Sequence, residues 1–163
     1  YLLQFLLIKL LFLTSNQLIH SLFQIKDFSQ NLTREEFVDF LYVHLDQFGD
    51  DKESINNCID YALSKEPGKG GFLTAAYEGD EMVGALIMNN TGMKGFIPEN
   101  CLVYVAVHKD KRGKGYGGKI CKHAIDMCDG NVKLHVEYEN PAKRLYERLG
   151  FTSKYAEMRY EKK

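Results

Sequence analysis

Apolar positions along the chain switch between two spacings. After Thr33-Arg-Glu-Glu36, which reads as a capping box, Phe37, Phe40, Leu41, Leu45 and Phe48 recur at the 3.6-residue period and predict a helix. His44 falls on the same stripe, where a packed and hydrogen-bonded imidazole is expected. Asp50 to Ser64 repeats the pattern through Ile55, Cys58, Ile59, Ala62 and Leu63, and Pro67-Gly68 stops it. Leu18 to Ile25 alternates as a first strand. Phe72 to Tyr77 and Met82 to Met88 read as two more, joined by the hairpin turn Glu78-Gly-Asp-Glu81. Asn89 to Asn100 is a polar loop containing Pro98, and Leu102 to Val107 is an apolar run of strand type. Ile120, Cys121, Ala124, Ile125 and Cys128 mark the next helix, and Val132 to Tyr138 the next strand. A short helix follows, with Asn140 as N-cap, Pro141 in its first position and Gly150 at its end. Its stripe is Ala142, Leu145, Tyr146 and Leu149. The predicted order is β-α-α-β-β-β-α-β-α-β, closing on a strand after that helix.

Between the strand at Leu102–Val107 and the helix through Ile120 lie four glycines in six residues, Gly113, Gly115, Gly117 and Gly118. A strand turning through glycines into a helix leaves backbone N–H groups free at the positive end of the helix dipole, a site suited to phosphate. Arg112 and Lys114 add charge there. A P-loop is excluded because Ile120, not a hydroxyl residue, follows Gly118-Lys119. Gly113, Gly115 and Gly118 fit the dinucleotide spacing, but only about 45 residues remain to complete a doubly wound sheet.

Arg112-Gly-Lys-Gly115-Tyr-Gly117 resembles the Arg/Gln-x-x-Gly-x-Gly/Ala loop of the GCN5-related N-acetyltransferases (GNAT), and Ala142-Lys-Arg-Leu-Tyr146 through Gly150-Phe151 resembles that family's second coenzyme A motif. The resemblance extends from about Phe72 to Phe151. It implies an α/β (α+β) fold with a mixed, mostly antiparallel central sheet flanked by helices. It also implies an acetyl-coenzyme A-dependent N-acetyltransferase that moves the acetyl group to a primary amine by direct attack in a ternary complex. The loop residues Arg112, Gly113, Lys114, Gly115, Tyr116, Gly117 and Gly118 would hold the pyrophosphate. Val105, Ala106 and Val107 would pair with the pantetheine as an added strand, and Tyr146 would protonate the departing thiolate.

Two positions depart from the family pattern. Its asparagine, three residues before the alanine of the second motif, is here Glu139, and Asn140, one place later, is the expected cofactor contact. Cys101 occupies the place where some members carry a strand-four glutamate, so Glu99, Glu137 or water is the expected base. The missing glutamate also allows a second class, an acyl-coenzyme A-binding module of the same fold without catalysis. Moving an acetyl group to a lysine-like amine of pKa about 10.4 requires a base or a desolvating pocket.

Composition narrows the classes further. At 163 residues, with 45% hydrophobic and 26% charged residues, the chain suits one globular domain with its own core. A net charge of −1 argues against a nucleic-acid or anionic-membrane partner, leaving a small-molecule or peptide amine as the acceptor. The four cysteines, Cys58, Cys101, Cys121 and Cys128, lack metal-ligand spacing, so no metal is expected and the setting reads as reducing and cytoplasmic. Tyr1 to Leu13 is apolar except for Gln4 and Lys9, too short for a spanning helix of about 20 residues. Residues 1–17 therefore read as an extension to a domain at 18–163. The extension is a helix covering apolar surface (in a homodimer, the partner's), a membrane-surface anchor, or a segment foreign to the domain.

Overall fold

The computed structural model describes residues 21–25, 28 and 31–162; the N-terminal apolar extension lies outside them. Five strands form one sheet in the order β1-β2-β3-β4-β5: β1 (Ser21–Ile25), β2 (Gly71–Glu78), β3 (Glu81–Asn90), β4 (Asn100–Val107) and β5 (Val132–Leu134). The first four pair antiparallel, and β5 joins β4 in parallel. This is the mixed, mostly antiparallel sheet expected.

Helices cover both faces. On one face lie α1 (Arg34–Leu45) and α2 (Lys52–Leu63), with a core of Phe37, Leu41, Ile55 and Ile59 against Leu73, Ala75, Ala85, Ile87, Tyr104 and Ala106. The Thr33 capping box forms as read: Thr33 accepts from Glu36 N–H and Glu36 closes back on Thr33 N–H. On the other face lie α3 (Tyr116–Met127) and α4 (Lys143–Arg148), where Tyr116, Ile120, Cys121, Ala124 and Tyr146 pack on Phe72, Ala76, Val83, Leu86, Met88 and Leu102. Gly84 of β3 lies beneath α3, and a Cβ there would come 2.2 Å from Ile120 Cδ1, so the missing side chain sets how deeply that helix sits.

Three sequence expectations are corrected. The strand expected over Val132–Tyr138 pairs only through Leu134, because β4 turns away from it. The last helix starts at Lys143 rather than Pro141. Asn140 Oδ1 accepts the Ala142 N–H, so it caps a turn ahead of the helix and not the helix itself. No strand follows α4 among the described residues; Tyr155, Met158 and Tyr160 are 83–93% exposed there and have no apolar surface to pair over.

Candidate active site

β4 ends at Val107, and a single 3₁₀ turn, Lys109–Lys111, carries the chain to Arg112 and the glycines. Gly113 (φ 78°) and Gly115 (φ 85°) adopt left-handed conformations that would strain any side chain, and a Cβ at either would meet open space. Gly115 is the N-cap of α3, whose first internal bond runs from Lys119 N–H to Gly115 O at 3.2 Å. Among the described residues, no N–H from Gly113 to Gly118 donates to another backbone carbonyl. The twelve-residue helix thus presents a row of donors and its positive dipole end to the open space beside Gly113 and Gly115.

This cradle is anchored from below. Tyr116 was expected among the cofactor contacts, but its ring is 1% exposed and its hydroxyl donates to Glu78 Oε1 at 2.5 Å; only its backbone faces the cradle. Burial and then Glu78 push the Tyr116 phenol up to about 12. Lys111 Nζ binds Glu78 at 2.5 Å and Glu81 at 2.8 Å, and the Lys111 bond followed by the Tyr116 bond holds the Glu78 carboxyl below its ordinary value. The hairpin turn between β2 and β3 therefore clamps both ends of the loop. Arg112 is likewise engaged: Nη2 donates to His44 O at 2.5 Å, and Nε to Val107 O at 3.4 Å. Lys114 is exposed at the rim.

Next to the cradle the sheet opens. β4 and β5 pair at Asn100↔Val132, Cys101↔Lys133 and Leu102↔Leu134, and nowhere beyond. The parting coincides with an irregularity in β4. Met88 of β3 pairs with Leu102 but Ile87 pairs with Tyr104, so Val103 is an inserted residue, a β-bulge. The bulge reverses the alternation: Leu102 packs in the α3–α4 core, Tyr104 and Ala106 in the α1–α2 core. Past it, Val105, Ala106 and Val107 pair with Leu86, Ala85 and Gly84 on one side and have no β5 partner on the other. That edge, which lacks a strand partner and meets Arg112 Nε at Val107 O, leads up to the glycine cradle.

α4 closes the α3–α4 side. Leu145 lies over the glycines, with Cδ1 3.6 Å from a Cβ built on Gly118. Tyr146 is 8% exposed and meets Phe151 edge-on at 5.9 Å; burial pushes its phenol well above its ordinary value. Asn140 stands half-buried before α4.

The opposite face holds the remaining polar groups. Glu99 accepts the Asn131 N–H at 2.8 Å, a bond that lowers its pKa and turns its carboxylate over Gly130. Glu137 is exposed. The half-buried Cys101 thiol is pushed up by burial, so it stays protonated. Tyr104 OH donates to Asp50 at 2.5 Å, and Asp50 edges a hollow lined by Tyr42, Val43, Asp46 and Asp51 between α1 and α2. His135 follows the last β4–β5 pair and by alternation shares the α1–α2 face. Sequence reading missed Glu78, Asp50 and the Tyr104 bond, since partners 38 and 54 residues apart leave no periodic trace. Among the described residues no His, Cys, Asp or Glu grouping could hold a metal, and no helix is long and apolar enough to cross a membrane.

Comparison with known proteins places this geometry. The family model of the acetyltransferase (GNAT) domain matches residues 69–153, just over half of the chain. Among solved structures, a possible acetyltransferase from Clostridium difficile 630 superposes with TM-score 0.61 at 21% identity, covering 89% of this chain and 98% of that one. The ribosomal-protein-alanine N-acetyltransferase of Brucella melitensis biovar Abortus 2308 gives 0.58 at 16% identity, with 86% and 96% covered. The NatC complex bound to Gag peptide and CoA gives 0.60 at 17%, with 81% and 84% covered. No curated protein matches the sequence. The cradle, the parted strands and the model match agree: the chain belongs to the GNAT acetyltransferase family.

Proposed function

We propose that the protein is an acetyl-coenzyme A-dependent N-acetyltransferase acting on a primary amine of a small molecule or peptide. The observation that carries this reading is the continuity between the donor row at Gly113–Gly118 and the unpaired β4 edge at Val105–Val107. A pyrophosphate fits the first and an extended, amide-bearing arm fits the second. The open space above Gly113 and Gly115 leaves room for the diphosphate.

In this reading the N–H groups at the start of α3 fix the diphosphate, and the β4 edge aligns the thioester over the gap. Tyr146 approaches from the α4 side. A phenol above its usual pKa of about 10 is a weaker acid than a thiol of about 8.5, so Tyr146 serves by donating a hydrogen bond to the developing thiolate. The acceptor enters from the α1–α2 face, where Asp50 and His135 stand and its ammonium can lose a proton before attack. The engaged Glu99 keeps the binding-module alternative open.

Calorimetric titration with acetyl-coenzyme A and coenzyme A tests the cradle, and no binding at millimolar ligand overturns the reading. Thiol release with a panel of amines separates enzyme from module, since a module binds the cofactor and releases no thiol above background.

A further inference from the structure

One residue of α1 grips the turn that leads into the cradle by two different groups. His44 is 8% exposed and lies in the last turn of the helix. Its ring nitrogen Nδ1 accepts the Lys109 N–H at 3.3 Å, and its backbone carbonyl accepts Arg112 Nη2 at 2.5 Å. The 3₁₀ turn Lys109–Lys111 is thus held at its first residue by the His44 ring and just past its last by the His44 backbone. Phe40 and His108 both pack against the ring in tilted contacts, at 4.4 Å and 4.3 Å between centroids, which restricts its freedom to swing away. His108 repeats the device one residue on, its Nδ1 accepting the Asp110 N–H at 3.3 Å.

We infer that His44 is a positioning residue for the phosphate cradle, and that only its neutral form holds the cradle in binding geometry. A neutral imidazole has one nitrogen that accepts; an imidazolium has none and would set a second donor against the Lys109 N–H. The charged and titratable groups around the ring are His108 at the end of β4 and Lys109, Asp110 and Arg112 in the turn. Burial first, and then His108, Arg112 and Lys109, oppose the proton, with Asp110 alone favouring it. The grip therefore holds from neutral pH down past the ordinary histidine value and releases in acid. The inference rests on the cradle's being the coenzyme A site.

The experiment is calorimetric titration of coenzyme A into wild type, His44→Asn and His44→Phe at about pH 7.5 and about pH 5.5, with circular dichroism to confirm folding. Asparagine offers an acceptor oxygen near the place of Nδ1 and takes no proton. The coenzyme's own terminal phosphate gains a proton near pH 6 in every case, so the difference between proteins is what counts. The expected result is that wild type loses severalfold more affinity than His44→Asn between the two pH values, short of the roughly tenfold that an unshifted histidine would give. His44→Phe, still folded, binds weakly at both. Identical pH profiles for wild type and His44→Asn overturn the inference. If wild type binds no coenzyme A at either pH, the functional reading fails, and NMR of the wild-type protein decides the positioning role by itself. A Lys109 amide resonance that titrates with the His44 ring supports it; one that stays put overturns it.

Discussion

Leu145 Cδ2 lies 3.1 Å from where a Cβ on Gly117 would stand, so the second motif's helix rests directly on the first motif's loop. The two motifs are one structure, and substitutions in the loop separate into two kinds. Gly115→Glu faces open space, although its φ of 85° adds about 1 kcal/mol of strain. It should abolish coenzyme A binding while the domain stays folded. Gly117→Glu should abolish binding and also push Leu145 aside, melting lower than Gly115→Glu. Calorimetry paired with thermal unfolding checks both; unchanged affinity in either variant would make the turn merely structural.

Tyr146 offers a test of chemistry apart from binding. Tyr146→Phe keeps the edge-on contact with Phe151 and should leave coenzyme A affinity unchanged, while turnover on a true acceptor falls by about 10²-fold. Alanine would confuse the result by opening a cavity beside Phe151. Undiminished turnover in the phenylalanine variant would return Tyr146 to the core.

The Glu78 clamp predicts a pH dependence. Its carboxyl is held below the ordinary 4.5 by Lys111 and Tyr116, so the unfolded chain binds the proton more readily than the folded one. The clamp's contribution is complete above 4.5 and drains away as pH falls through the lower folded value. Glu36, Asp51 and Glu99 are lowered too and add to the wild-type slope, so the comparison with Glu78→Gln isolates this group. The melting-temperature gap between the two proteins should be widest near neutrality and narrow steadily in acid. A gap independent of pH would show that the carboxylate charge is not what the clamp uses.

Gly84 should control the cradle from beneath. Gly84→Ala brings a methyl to within 2.2 Å of Ile120 Cδ1, an overpacking that costs about 1–3 kcal/mol and lifts α3. Coenzyme A affinity should fall although no ligand atom is near, and a second change, Ile120→Val, should restore much of both losses. Failure of the double variant to recover affinity would break the link between helix depth and binding.

What the sequence made legible follows from which forces are local. The Thr33 capping box, the amphipathic stripes of α1 and α2 and the β2–β3 hairpin are written in residues a few places apart, and each appears where its pattern put it, except that Phe48 falls in a 3₁₀ turn past the end of α1. The glycine loop was legible for the same reason. The role of Tyr116 was not, because the loop pattern treats it as a spacer while its ring answers to Glu78 across the core. β5 was overestimated because Val136 and Tyr138 carry strand character that pairing never uses, β4 having turned away at a bulge that no residue type announces. Arg112 was read as charge for the pyrophosphate, and only the fold shows its guanidinium on the His44 and Val107 carbonyls.

Val103 is 38% exposed and inserted in β4 where it has no partner on β3. A scan of side chains at this position should find it permissive, since little packs on it. Removing the residue altogether is another matter. Leu102 and Tyr104 would then be neighbours on a regular ladder, still opposite Met88 and Ile87 and still facing their own cores. With the bulge gone, β4 would run on beside β5 and shut the gap. Position 103 should accept nearly every amino acid and refuse to be deleted, so its importance lies in being counted and not in what it is.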